Sequence, residues 1–374
     1  MTVRVAMNLL WCVPGVGGSE EYLVRQLRGL DEIGSEAQVE VFAPRGFAER
    51  QPRIAGSFRV HEPPNDCTRR AARVALEHSW LAARTRGFDL VHHGGGTVPR
   101  IGNGRTLLTI HDIQWTEYPH YVSPLKLRYL RAAVPSSARR ATRIAVPTSY
   151  VRDTLVRELS VDPTRVGVVR HGLEADLDST ATPADVLRDR FGLGDGPVLV
   201  FPAITHPHKN HAFILGLLAQ ATGPWADPSL RVVFAGSAGA AENDVRAGVR
   251  ADGVAGRVVM PGRVSHEDRN GLLAMADAMV FPSEYEGFGA PVIEAMRFGT
   301  PVISSDRACL PEVVGDAGIV APLTIDAWNA ALESARHDRA RLVEAGRARA
   351  SHFTAADSAR DLVREYALTL GGAW

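Results

Sequence analysis

Short apolar runs alternate with longer, helix-like segments along the whole chain. In the first half the runs fall at 3–8, 39–42, 90–92, 107–110, 144–146 and 166–169. In the second half they fall at 198–201, 231–235, 258–260, 278–281, 302–304 and 318–320. Each is brief, rich in Val, Ile or Leu, and bounded by polar residues or glycine. Strands buried on both faces of a parallel sheet look like this. Strand–helix alternation predicts βαβ units and a doubly wound α/β fold. A polar, small-residue, Pro-containing stretch at 174–183 reads as a linker between two such sheets, the second starting after 192–197. The expected domains are 1–178 and 179–355, with a last helix-like segment at 356–374. Two open α/β domains put a cleft between them, and ligands of such sheets bind outside the carboxyl ends of the strands.

Composition narrows the picture without redirecting it. The chain has 374 residues, 45% hydrophobic and 22% charged, with 42 basic and 42 acidic side chains. A formal net charge of zero gives no reason to expect a nucleic-acid partner. Cys12, Cys67 and Cys309 are odd in number and far apart, which fits neither a disulfide framework nor a zinc site and suits a reducing cytoplasm. The apolar start at 3–10 is short and followed by Gly-rich turn chemistry, so it reads as a first buried strand rather than a signal peptide. No stretch is long and apolar enough to span a bilayer, which leaves attachment to a membrane surface open.

The densest chemistry lies at 282–294. Pro282 and Ser283 end a strand, a loop with Gly287 and Gly289 follows, and Pro291 suits the first turn of a helix over 291–298. Glycines let the backbone approach a ligand closely, and the helix N-terminus favours a phosphate. Glu286 and Glu294 would accept hydrogen bonds from paired hydroxyls at this mouth. For either glutamate alone, a surface position is the plainer reading.

Four other segments stand out. In 201–210, just after a strand, Lys209 can aim its ammonium at a diphosphate. The Gly-rich stretch 15–18 separates a strand from an amphipathic helix carrying Tyr22, Leu23, Leu27 and Leu30. Glu20 stands where a dinucleotide fingerprint needs glycine, so that motif fails. In 107–113, His111 ends a buried strand and Asp112 follows it; His92 and His93 are weaker candidates of the same kind. Between Glu117 and Arg152 lie Lys126, Arg128, Arg131, Arg139, Arg140, Arg143 and Arg152, with no acidic residue after Glu117. The plainer reading is a solvated basic helix face; the sharper one is a surface at 126–143 that docks on anionic membrane or a lipid-diphosphate.

The string 282–294 resembles glycosyltransferase family 4, retaining transferases with the two-domain GT-B fold. Further similar text follows at 299–303 and 310–318, and the likeness, strongest over 201–320, runs through nearly the whole chain. It implies two Rossmann-like domains facing across a deep cleft, with the C-terminal helix crossing back to the first. It implies that Glu286 meets the transferred sugar, that Glu294 meets the nucleotide ribose, and that the backbone at Gly287, Phe288 and Gly289 faces sugar and diphosphate. Lys209 maps onto a phosphate-binding lysine, Gly17 and Gly18 onto a loop beneath the donor, and His111 onto a histidine that approaches the transferred sugar. Asp112 and His93 would lie toward the acceptor. Two positions depart from the pattern: His208 stands where arginine is frequent, and Ala203 stands where many members have arginine. Arg263 could supply some of the missing charge. The implied activity is transfer of a sugar from a nucleotide diphosphate to a hydroxyl of a glycan, lipid-linked or small-molecule acceptor, with no metal and no cofactor. The 207–210 and 111–112 strings look most like bacterial mannosyl- and rhamnosyltransferases of surface polysaccharides, which points to GDP-mannose and to work in the cytoplasm, at the inner face of the membrane. The alternatives are a sugar-nucleotide epimerase on the same fold and a non-catalytic sugar-nucleotide-binding protein.

Overall fold

The structure is a computed structural model that describes residues 3–14, 18–65, 67–102, 104–177, 180–251 and 253–372. The chain divides into two compact units, one formed by Met1–Glu174 with Phe353–Trp374, the other by Ala175–His352.

The first unit holds a seven-stranded sheet of β1 (Arg4–Asn8), β2 (Gln38–Phe42), β3 (Arg59–His61), β4 (Leu90–His93), β5 (Arg105–Thr109), β6 (Arg143–Val146) and β7 (Val166–Val168). The order is β3-β2-β1-β4-β5-β6-β7, and all the pairings are parallel. Strand β3 escapes the hydrophobic pattern because only Val60 in it is apolar and none of it is fully buried. The Gly18–Glu32 helix buries Tyr22, Leu23, Leu27 and Leu30 as their spacing predicts. Its core is shared with the C-terminal Ala355–Leu370 helix, which contributes Ala359, Leu362 and Tyr366. Polar contacts fix that helix as well: Glu365 pairs with Arg143 at 2.8 Å and Asp361 with Arg170 at 3.1 Å.

The second unit holds six parallel strands: β8 (Val198–Phe201), β9 (Arg231–Phe234), β10 (Val258–Val259), β11 (Ala278–Phe281), β12 (Val302–Ser305) and β13 (Ile319–Ala321), in the order β10-β9-β8-β11-β12-β13. Its central strands β8 and β11 are buried at every residue, which is why they read as unbroken apolar runs.

In each sheet the chain order reverses once, between β1 and β4 in the first and between β8 and β11 in the second. Connections that leave in opposite directions open a crevice at the carboxyl ends of the two strands, the place where open α/β sheets take ligands.

Candidate functional site

At the reversal of the second sheet, the segments that follow β8 and β11 come together. After β8, Pro207 starts a 3-10 turn, Pro207–Lys209, and Asn210 closes it in the left-handed region at φ 58°, which asparagine tolerates. The backbone N–H of Glu284 donates to the His208 carbonyl at 2.8 Å, tying this turn to the segment after β11. Lys209 Nζ then donates to Glu286 Oε1 at 2.5 Å and lies 5.4 Å from the centroid of the Phe281 ring. The two side chains are only 15% and 11% exposed, so the pair is substantially desolvated.

The backbone of the Glu286 loop is held from below. Cys309 Sγ donates to the Glu286 carbonyl at 3.2 Å, and the Ser305 hydroxyl donates to the Ser283 carbonyl. Gly289 caps the Ala290–Phe298 helix at φ 86°, ψ 52°. A side chain there would be strained by its backbone and would also meet Leu310 Cδ2 at 3.0 Å. The Phe288 side chain is buried. Pro291 occupies the first turn of the helix. Glu294, 3% exposed, sits 3.8 Å from a guanidinium nitrogen of Arg269. A buried carboxylate with a distant cation suits either a structural ion pair or a hydroxyl-accepting group.

Histidine 208 brings no fixed charge to this place. Burial, with Lys209 and His206 beside it, pushes His208 down to about 3, so its ring is neutral near pH 7. Ala203 is buried and supplies none. Arg263 is exposed between β10 and the His266–Met275 helix and makes no ion pair among the described residues. Lys209 is thus the cation that the geometry puts beside Glu286.

Sequence reasoning missed the segment after β9. Thr205 Oγ1 accepts from the Gly239 N–H at 2.7 Å and donates to Glu242 at 2.6 Å. A Cβ on Gly236 would stand 1.9 Å from the Ala203 carbonyl oxygen, so only glycine fits that approach. The Gly236 and Gly239 spacing was the available signal.

In the first unit, Gly17 lies outside the described residues. Gly18 opens the Gly18–Glu32 helix and is exposed. His111 is half-buried, with Nε2 donating to the Gly94 carbonyl at 2.9 Å and its ring edge-on to Tyr22 and Trp11. A carbonyl only accepts, so the proton sits on Nε2. Burial lowers His111 against the smaller opposing effects of Gly94 and Asp112, leaving Nδ1 as a free acceptor. Asp112 is exposed and accepts from the Gln114 N–H at 3.0 Å, a local turn bond. His93 is buried and bonds Asn8 at 3.1 Å. His92 is a core residue: Tyr366 and Thr109 take its two ring nitrogens at 2.9 and 2.7 Å. No helix among the described residues is long and apolar enough to cross a membrane.

Two sheets of this topology, with an ammonium, two carboxylates and a glycine-capped helix at the second reversal, are what the resemblance to GT-B glycosyltransferases implies. The comparisons agree. Residues 16–177 match the model of Glycosyltransferase Family 4, and residues 185–349 match that of Glycosyl transferases group 1. The chain is 28% identical to the O-antigen chain mannosyltransferase B of Escherichia coli over 330 residues, covering 86% of this chain and 82% of that one. It is also 28% identical to the 2-deoxystreptamine N-acetyl-D-glucosaminyltransferase of Streptomyces fradiae over 356 residues, covering 86% and 84%. Among solved structures, Anabaena Alr3699/HepE in complex with UDP-glucose superposes with a TM-score of 0.78 at 17% identity, covering 98% of this chain and 99% of that one. The chain belongs to glycosyltransferase family 4.

Proposed function

We propose that this enzyme is a retaining transferase that moves mannose from GDP-mannose to a hydroxyl of a cell-surface polysaccharide or glycoconjugate precursor. The observation that carries the donor site is the Lys209–Glu286 pair at the reversal of the second sheet. In the structure the ammonium and carboxylate neutralise each other. A bound diphosphate offers Lys209 a stronger partner, and Glu286 is then released to accept from sugar hydroxyls. Glu294 accepts from the ribose, and Arg263 is the further cation available to the phosphates. In this reading the diphosphate sits against the backbone of 287–289 and the N-terminus of the helix that Gly289 caps; the αL cap at Gly289 supports it.

In the reaction, the bond from the anomeric carbon to the diphosphate oxygen breaks. The acceptor oxygen bonds to the same carbon on the same face, and its proton passes to the departing phosphate. Lys209 and the backbone dipoles stabilise the charge that develops on the leaving group, so this reading calls for neither metal nor cofactor. His111 contacts the sugar, Gly17 and Gly18 underlie the donor, and Asp112 and His93 serve the acceptor side. Mannose is favoured by the likeness to an O-antigen mannosyltransferase. An epimerase would convert its donor with no acceptor present, and the family assignment favours transfer.

The 126–143 segment is proposed to rest on anionic membrane at the cytoplasmic face. Leu125 is 83% exposed at the start of the Pro124–Arg140 helix, and Lys126, Arg128 and Arg131 beside it are exposed as well.

The test is a split between binding and turnover. Glu286→Ala should depress kcat while leaving the nucleotide Kd near its wild-type value, whereas Glu294→Ala should raise that Kd. Wild-type values for both variants would remove these roles.

A further inference from the structure

A second built site lies wholly within the first unit. The link from β4 to β5 carries no helix among the described residues, and residues 98–102 and 104 line a cavity of about 270 Å³. The walls are fixed. The Val98 N–H donates to Ser137 Oγ at 3.0 Å, the Arg140 guanidinium donates to the Val98 carbonyl, and the Arg100 N–H donates to His78 Nε2 at 3.0 Å. Another part of the lining is the π-helical turn Glu77–Leu81, whose i→i+5 repeat brings Glu77, Leu81 and the following Ala82 to the same cavity.

The polar groups are aimed. Asn8 Oδ1 accepts from the Leu10 N–H at 3.1 Å, so its amide nitrogen must be the atom that faces Glu77 Oε1 at 3.4 Å and His93 Nδ1 at 3.1 Å. His93 Nδ1 is therefore an acceptor, and the ring proton sits on Nε2. Burial pushes His93 down to about 4 and raises Glu77 above the usual carboxylate range. Glu77 and His93 are 8% and 4% exposed, and neither Glu77 Oε2 nor His93 Nε2 has a hydrogen-bond partner among the described residues. Arg100, Arg140 and the 62% exposed Ile101 also line the cavity; neither arginine is paired with a carboxylate among the described residues, though the Arg140 guanidinium also donates to the Ser136 carbonyl at 3.0 Å.

We propose that this cavity binds a small polyhydroxylated anion, a single sugar ring carrying a phosphate or a carboxylate. A hydroxyl both donates and accepts, so it satisfies Glu77 and the His93 Nε2–H together. The anionic group meets Arg100 and Arg140. The volume lies just under the usual range for ligand pockets, about 300–1,000 Å³, which suits one ring rather than two. The position follows the same topological logic as the donor loop: Asn8 and His93 end β1 and β4, the strands between which the first sheet reverses.

The experiment is titration calorimetry on the full chain with glucose 6-phosphate, glucuronate, glucose and inorganic phosphate, in the wild type, Arg100→Ala and Glu77→Gln. Saturable binding of the two anionic sugars is expected, with glucose and phosphate each weaker by about tenfold or more. Each variant should weaken anionic-sugar binding by about tenfold, while nucleoside diphosphate affinity stays at its wild-type value and reports a folded protein. Arg100 is exposed, so its variant decides the matter even where Glu77→Gln does not fold. Mass spectrometry with a donor sugar present separates two sources. Glycosylation of the bound probe makes the cavity the acceptor site, and binding without transfer makes it an effector site. No saturable binding by the wild type, phosphate binding as tightly as the sugar phosphate, or binding unchanged by Arg100→Ala would overturn the proposal. None of these outcomes depends on the donor loop, whose failure would show instead as lost nucleotide binding.

Discussion

Replacing Lys209 by methionine keeps the aliphatic stem and removes only the ammonium. This strands Glu286, whose side chain is 11% exposed and whose cation at 2.5 Å is Lys209. Removing one member of a fully buried pair costs about 3–5 kcal/mol. This pair keeps some water, so a cost of about 2–3 kcal/mol is expected. For a unit the size of Ala175–His352, that lowers Tm by about 4–12 °C. On the proposed reading the same change deletes a charge-assisted contact to the diphosphate worth about 1.5–3 kcal/mol, so the nucleotide Kd should rise about 10- to 150-fold. The double variant Lys209→Met, Glu286→Gln removes both charges and should recover most of the lost Tm without recovering affinity. Scanning calorimetry and titration calorimetry on the four proteins separate the two effects. The reasoning fails if Lys209→Met melts with the wild type, or if the double variant regains nucleotide affinity.

Two further outcomes follow from the same geometry. Gly289→Ala places a methyl at φ 86° against Leu310, so thermal unfolding should show a loss of about 1–2 kcal/mol, and nucleotide affinity should fall with it; an unchanged melt would mean that the cap relaxes freely. Replacing Arg128 and Arg131 together by alanine should reduce co-sedimentation with anionic vesicles by about 2 kcal/mol of binding free energy, since each basic residue near such a surface contributes about 1 kcal/mol. Equal sedimentation of variant and wild type would reject membrane docking by this helix.

The sheets were legible because their central strands are buried on both faces. The runs at 198–201 and 278–281 coincide with β8 and β11, since no polar residue interrupts either. Strand β3 was not legible, because Arg59 and His61 flank a single apolar residue at the edge of the sheet. The loop after β11 was legible as text because glycine and proline there answer to backbone geometry, as the cap at Gly289 and the first-turn Pro291 show. The pairing of Lys209 with Glu286 was not, because it depends on β8 and β11 being neighbours, which no local pattern records. Glu77 gave no signal at all. It reaches its cavity through a π-helical turn, and helical periodicity assumes a 3.6-residue repeat. His92 misled because a strand-end histidine facing a crevice and one facing the core look alike until Tyr366, far away in sequence, is placed against it.

The central claim is that the loops after β8 and β11 hold a nucleotide diphosphate sugar. The most direct test is a thermal-shift titration of the full chain with UDP, GDP, ADP and dTDP, each with its common sugars. One nucleotide sugar, expected to be GDP-mannose, should raise Tm saturably, and at 100 times its Kd should add about 2.7 kcal/mol of stability that Lys209→Met largely abolishes. No stabilisation by any nucleotide sugar, or stabilisation equal in the Lys209→Met variant, would contradict the account.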